Sequence, residues 1–200
     1  MNGFLADDYK IPSTSRYMKF QAGENRFRIL GSFSDQTAIM GMEYWKSTPE
    51  GGRKPIRVTM GVAVPITELE EKENGELDMP KHFWALPVYN YQDGQVQILE
   101  ITQKTIQSSI RNLSRNKKWG NPAEYDIVVT KTGEGLETKY TVVPDPKEEL
   151  SDAIKEAYKN TKINIVALFS GDDPFKANEE MNVDEIDSGI EKLKKATPGK

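Results

Sequence analysis

The chain has 200 residues, of which 36% are hydrophobic and 29% are charged, a polar composition that predicts a modest core surrounded by solvated segments. It contains no cysteine, which excludes disulfide bonds and any zinc or iron–sulfur site that depends on thiolate ligands. No apolar run approaches the roughly 20 residues of a membrane-spanning helix, and the N-terminal residues lack the basic and apolar regions of a signal peptide.

The net charge of −4 is unevenly distributed along the chain. Residues 1–143 carry 18 basic and 18 acidic side chains, whereas residues 144–200 carry 9 and 13. Within the first part, residues 68–78 contribute six acids and one lysine, so the remainder has 17 basic against 12 acidic side chains. The basic charge therefore accompanies the aromatic-rich part of the chain, although each acidic run taken alone is most often a solvated face.

The N-terminal half alternates apolar and polar residues in several short runs. Extended segments are predicted at residues 16–20, 24–30, 38–46 and 56–60, and an acidic connector at residues 67–80. In the second of these segments, Phe27 and Ile29 point to one face. Arg26 and Arg28 point to the other, which predicts a half-buried strand with a basic outer face.

The segment from residue 81 to 91 concentrates large rings beside a cation and continues through a Gly-containing turn into residues 95–101. Two extended runs joined at such a turn predict a β-hairpin. Alternation places His82 and Trp84 on one face and the other rings on the opposite face, without deciding which face is buried. Any ring left on an open face would suit a nucleobase, because every base offers a π-face for stacking.

The hairpin is followed by one predicted amphipathic helix, which has Thr102 as its N-cap residue and repeats Ile106, Ile110 and Leu113 along one face. A second hairpin is predicted across residues 125–142, and a charged helix is predicted at residues 147–159. Strands do not alternate with helices, so a doubly wound parallel sheet is not expected. The predicted fold is mainly β: a small antiparallel barrel of five to six strands, with one inserted helix and a C-terminal helical or disordered extension.

Residues suited to catalysis are scarce. His82 is the single histidine, and no Asp, Glu or second His lies at ligand spacing from it, so we expect no metal and no cofactor. The glycines at residues 51–52 and 133–135 lack the spacing of a phosphate-binding loop and are typical of turns. We therefore expect a binding protein rather than an enzyme.

Aromatic residues and cations interleave on several predicted strands, as in Tyr17 with Lys19 and in Tyr44-Trp45-Lys46. Cations neutralise phosphates while rings stack on bases without reading sequence, and single-stranded nucleic acid calls for both. Two alternatives stay open. The barrel would bind another protein as an adaptor, or, less favoured, the chain would be a DNA-processing enzyme with an unrecognised site.

Seven segments carry a resemblance to a known family, and they occur in order between roughly residues 16 and 175. They are Lys19-Phe20 and residues 23–30, 81–85, 97–106, 119–122, 125–127 and 133–140. The chain resembles in these segments the single-stranded-DNA-binding proteins of tailed bacteriophages, the helix-destabilising replication proteins.

The resemblance implies an oligonucleotide/oligosaccharide-binding (OB) barrel that coats single-stranded DNA during phage replication, recombination and repair, in the cytoplasm of the bacterial host. We divide the chain accordingly into a flexible arm (1–15), the OB domain (16–143), a C-terminal helix and packing segment (144–175) and a flexible acidic tail (176–200). The tail would engage replication proteins, and the protein would be a monomer or associate weakly with itself. The side chains expected to contact DNA are Arg26, Arg28, Tyr44, Trp45, Lys46, Arg53, Lys54, Arg57, Lys81, His82, Trp84, Lys104 and Arg111.

Overall fold

The computed structural model describes residues 15–176, so nearly all of the predicted N-terminal arm and acidic tail lie outside the described residues. Eight strands and three helices lie within this range. The strands are Tyr17–Met18 (β1), Gly23–Ile29 (β2), Ile39–Ser47 (β3), Arg53–Thr59 (β4), Lys81–Asn90 (β5), Gln95–Ile101 (β6), Tyr125–Thr132 (β7) and Lys139–Lys147 (β8). The helices are Lys104–Arg115 (α1), Asp152–Asn160 (α2) and Ala167–Ser170 (α3).

The strand β5 organises the sheet because it pairs with three others. One of its edges pairs antiparallel with β6, and the other pairs with β3 in its first half and with β2 in its second half. From β2 the sheet continues to β7 and β8, β4 pairs with β3, and β1 lies parallel to β6. The predicted mainly-β class is confirmed, but the sheet has eight strands rather than the predicted five to six within the described residues, and it is not closed into a barrel there. Among the described residues the sheet is open and mixed, since its path ends at β1 and β8.

Both predicted hairpins and the inserted helix are confirmed. The β5–β6 register runs from Trp84 opposite Ile101 to Asn90 opposite Gln95, with Gly94 in the turn at a φ of 66°. Such a positive φ favours glycine, which has no Cβ to clash. The helix α1 begins at Lys104 with Gln103, rather than the predicted Thr102, as its N-cap residue.

The C-terminal charged helix starts later than the sequence pattern predicts. The strand β8 continues through the prolines at positions 144 and 146 to Lys147 before the helix α2 begins at Asp152. Ser151 caps that helix, since its hydroxyl oxygen accepts a hydrogen bond from the backbone N–H of Ile154 at 3.4 Å. Two prolines are tolerated there because β8 lies at the edge of the sheet, where a strand has only one partner.

Two apolar clusters cover opposite faces of the β5–β6 hairpin. On one face, Leu86 and Val88 pack with Ile106 of α1 and with buried residues of β2 and β7. On the other face, Phe83 packs with residues of β3 and β6 and with Leu168 of α3. Alternation left open which face of the hairpin is buried. Both faces are in fact buried along most of its length.

The predicted basic outer face of β2 is wrong for Arg28, whose side chain is 3% exposed. Its Nε lies 2.5 Å from Oδ1 of Asp126, and its Nη1 donates to the carbonyl of Glu148 at 3.0 Å. The segment after β8 thus covers the face that alternation assigned to solvent. Burial of a guanidinium group requires this pairing, because an unpaired charge in the interior is costly.

The hydroxyl of Tyr91 also donates to Asp126 Oδ1, at 3.0 Å. Burial, followed by this hydrogen bond, raises the pKa of Tyr91 to about 12. An unfolded tyrosine titrates near pH 10, so the stabilising contribution is present below about pH 10 and is lost as the pH rises through about 12. We expect unfolding experiments between about pH 9 and 12 to show a smaller loss of stability for Tyr91→Phe than for wild type. Identical pH profiles would contradict this linkage.

Candidate nucleic-acid interface

An apolar cleft of about 440 Å³ opens beside the first half of β5. Its lining includes His82 and Trp84 of β5 and Met40 of β3. Phe33, in the loop after β2, and Arg111, on α1, also line it. The strand register brings two of these residues together, since Met40 lies directly opposite Trp84 in the β3–β5 ladder.

Three rings follow one another along this cleft. The centroids of Phe33 and Trp84 are 5.5 Å apart with an interplanar angle of 62°, and those of His82 and Trp84 are 6.3 Å apart at 86°. Edge-to-face pairs of this kind hold rings in fixed orientations. Trp84 packs against the main core cluster, whereas Phe33 is 36% exposed. A planar ligand therefore meets aromatic surface that is already positioned.

Two buried nitrogen atoms of the cleft, His82 Nε2 and Trp84 Nε1, have no hydrogen-bond partner among the described residues. A buried polar group left unpaired costs about 1–3 kcal/mol, so such groups are uncommon without a reason. The indole N–H is a donor only and calls for an acceptor such as a carbonyl oxygen or a ring nitrogen. Nucleobases offer both of these acceptors on their edges.

The helix α1 fixes the position of the cleft and adds positive charge to it. The side-chain amide of Gln107 donates to the carbonyls of Ile101 at 2.8 Å and His82 at 3.1 Å, which ties the helix to β6 and β5. Arg111 lies at the rim and makes no ion pair with any described residue. The same holds for the exposed cations Lys104, Arg115, Lys117 and Lys118. This end of the molecule thus offers cations that are not neutralised by the chain's own carboxylates.

A second group of predicted contact residues lies on the β3–β4 hairpin. Tyr44 is buried and Trp45 is half-buried there. Lys46 and Arg53 form ion pairs with carboxylates of the acidic connector, whereas Lys54 is exposed and unpaired among the described residues. The hairpin therefore carries the interleaved rings and cations that the sequence indicated, but two of its cations are engaged.

Arg57 belongs to a different environment. Its side chain is 8% exposed, with Nε 2.9 Å from a carboxylate oxygen of Glu43 and Nη2 2.9 Å from one of Glu100. Its guanidinium group lies 5.4 Å from the ring centroid of Phe83, a cation–π distance. Burial raises the pKa of Glu100, and the charge of Arg57 opposes that shift. The donors of Arg57 are used within the fold.

The structure thus separates the thirteen predicted contacts into three groups. His82, Trp84 and Arg111 line the cleft, Lys104 lies on the same helix as Arg111, and Lys81 precedes His82 in β5; the β3–β4 hairpin holds Tyr44, Trp45, Lys46, Arg53 and Lys54; Arg26, Arg28 and Arg57 lie in ion-pair networks with Asp and Glu. Phe33 was not among the predicted contacts. The available signal was a single aromatic residue inside a polar loop, which is too common to indicate a site by itself.

Within residues 15–176, no group of three or more His, Cys, Asp or Glu side chains is placed to hold a metal ion. No helix in that range combines the length and the apolar character needed to cross a membrane.

Comparison with known proteins gives one informative similarity. A protein of Escherichia phage T5 named "Probable ssDNA-binding protein" is 24% identical over 143 residues. The aligned region covers 63% of this chain and 53% of the phage T5 protein, so the chain spans about half the length of that relative. No family model matches the chain, and no solved structure matches it. The chain is thus similar, at low identity, to a phage protein named for single-stranded-DNA binding.

Proposed function

We propose that this protein binds single-stranded DNA without sequence preference. The observation that carries the proposal is the cleft in which Phe33, Trp84 and His82 lie in series with the unpaired Arg111 at the rim. Rings stack on any base, and cations neutralise phosphates whatever the sequence, so the pair of features fits a single strand. The name of the phage T5 relative supports the same conclusion.

The cleft favours a single strand over a duplex for a geometric reason. A base inside a duplex has both faces stacked on its neighbours, so a ring of the protein reaches a base face only when that base is unstacked. Exposed cations of α1, such as Lys104 and Arg115, lie on the same helix as Arg111 and would hold the backbone of the strand. Of the predicted contacts, we assign the cleft group and, apart from the buried Tyr44, the β3–β4 hairpin group to DNA, and Arg26, Arg28 and Arg57 to the fold.

The proposal includes the biological setting. The protein would coat exposed single strands during phage replication, recombination and repair, in the cytoplasm of the bacterial host, without catalysing a reaction. Its acidic tail, outside the described residues, would engage replication proteins. We also propose that the open sheet is a variant of the OB barrel. Two features support this: β5 shares one edge between β2 and β3, as a bent barrel strand does, and α1 connects β6 to β7.

Titration of a fluorescent oligo-dT with the full chain tests the proposal. For single strands, each phosphate contact lowers the logarithm of the association constant by about 0.7 for every tenfold increase in salt concentration. About three contacts therefore predict roughly tenfold weaker binding at 300 mM than at 100 mM salt. We expect quenching of tryptophan fluorescence on binding and much weaker binding of a duplex of equal length.

The same titration separates the alternatives. Affinity that barely changes with salt would contradict the role of phosphate contacts. Failure to bind at low salt would favour a protein-binding adaptor, and metal-dependent cleavage of the labelled oligonucleotide would favour a DNA-processing enzyme.

A further inference from the structure

The acidic connector is an ordered element rather than a solvated loop, and its acids lie between Glu68 and Asp78. It folds back on itself as a small hairpin, in which the N–H of Asp78 donates to the carbonyl of Glu70 at 2.8 Å. The N–H of Lys72 donates to the carbonyl of Glu76 at 2.8 Å. Backbone hydrogen bonds therefore hold the main chain that carries its carboxylates.

Three of these carboxylates form ion pairs with cations of the β3–β4 hairpin. Glu68 forms an ion pair with Lys46. An oxygen of Asp78 lies 2.9 Å from Nη2 of Arg53, and one of Glu70 lies 3.8 Å from the same nitrogen. Lys46 and Arg53 are both among the side chains that the sequence pattern assigned to DNA.

Glu70 accepts two further hydrogen bonds, both from Ser47. The backbone N–H of Ser47 donates to Oε1 at 2.6 Å and the Ser47 hydroxyl donates to Oε2 at 2.8 Å. These bonds, the backbone one first, lower the pKa of Glu70, which therefore carries its charge at neutral pH. A backbone N–H, a hydroxyl and a guanidinium group converging on anionic oxygens are also the groups that hold DNA phosphates.

The remaining acids of the connector do not pair with these cations. Glu71, Glu73 and Glu76 are exposed and form no ion pair with any described residue. We call Glu68, Glu70 and Asp78 the inward set of carboxylates, and Glu71, Glu73 and Glu76 the outward set. The two sets carry equal charge, so substitution of the outward set is a control for the change in net charge.

We propose that the tip of the β3–β4 hairpin is a second phosphate-binding site for single-stranded DNA, which the connector's carboxylates occupy in the free protein in place of the DNA backbone. Lys54 lies opposite Lys46 in the strand register and is unpaired, so it offers a first contact to an arriving strand. The pairs of Lys46 with Glu68 and of Arg53 with Glu70 are partly exposed, and such pairs contribute little to stability, so phosphates compete effectively with these carboxylates. The inference rests on the proposed function, because the ligand is the same strand.

The test compares two variants of the full chain that change the net charge equally. The inward variant is Glu68→Gln, Glu70→Gln, Asp78→Asn, and the outward control is Glu71→Gln, Glu73→Gln, Glu76→Gln. We expect the inward variant to bind oligo-dT about five- to tenfold more tightly, with a salt slope steeper by about 1.4, since two cations gain phosphate contacts at about 0.7 each. The control is expected to change affinity less than about twofold.

A second comparison guards against altered folding of the inward variant. The single variant Glu68→Gln removes one exposed pair and is expected to tighten binding about twofold, with an unchanged melting temperature. Adding Lys46→Gln and Arg53→Gln to the inward variant is expected to remove the gain.

Equal tightening by the inward and outward variants would reduce the effect to general charge repulsion and overturn the second site. No tightening by the inward variant, with the wild type still binding, would also overturn it and leave the proposed function standing. A wild-type chain that does not bind single-stranded DNA overturns both.

Discussion

Replacing Trp84 by alanine is expected to weaken binding of oligo-dT by about 1–3 kcal/mol, a factor of about 5 to 150. Trp84 is the central ring of the cleft, with Phe33 and His82 on either side of it. Its removal takes away the ring that contacts both of the others. Fluorescence anisotropy at fixed salt measures the change, and Trp84→Phe, which keeps a ring, is expected to lose less.

Trp119 provides the matched control for this variant. Like Trp84, it packs against the main core cluster. Its ring does not line the cleft but contacts the ring of Tyr125, with the two ring centroids 5.5 Å apart. Both alanine variants are expected to lose stability, because both remove a large partly buried ring. Only the Trp84 variant is expected to lose affinity for oligo-dT once the measured affinity is corrected for the fraction of protein that is folded. Equal losses of affinity would contradict stacking in the cleft.

The elements set by local pattern were predictable from the sequence. Alternating residues on either side of Asp93-Gly94 indicated the β5–β6 hairpin, and the spacing of Ile106 and Ile110 indicated α1; both elements are present. Hydrogen bonds and side-chain contacts between near neighbours decide such elements, so a single sequence carries the information. Whether a sheet closes depends instead on which distant strands pair, and the local pattern did not indicate that this sheet is open among the described residues.

The burial of charged residues could not be read from alternation. Arg28 is buried because Asp126, 98 positions away, pairs with it, and Arg57 is buried because Glu43 and Glu100 pair with it. Period-two patterning places a side chain on a face but does not say what covers that face. The same limit applied to the hairpin rings, since Phe83 is fully buried under α3 while Trp84 borders a cleft.

The candidate site shows the same division between local and distant information. His82, Trp84 and Arg111 were predicted individually as contacts, and the structure places them around one cleft. The acidic connector was expected to be a solvated face, whereas three of its carboxylates reach Lys46 and Arg53. Composition revealed the amount of charge, and only the fold revealed which charges meet.

Removing the carboxylate of Asp126 is expected to have the largest effect on stability, a loss of about 3–5 kcal/mol for Asp126→Ala. The carboxylate side chain is 2% exposed and pairs with Arg28, which is 3% exposed. The variant would leave that guanidinium group buried without a counter-ion and would remove the acceptor of the Tyr91 hydroxyl. Urea denaturation monitored by tryptophan fluorescence measures the loss.

Asp145→Asn is the control for this prediction, because Asp145 pairs with no described cation other than the half-exposed Arg26, at 3.2 Å, and is itself 34% exposed. It is expected to cost no more than about 1 kcal/mol, as exposed ion pairs do. A loss for Asp126→Ala no larger than for Asp145→Asn would mean that Arg28 is solvated, and would return it to the set of cations available to DNA. A large and specific loss would instead support our assignment of Arg28 to the fold, since a cation that the interior cannot release has no donor to offer a phosphate.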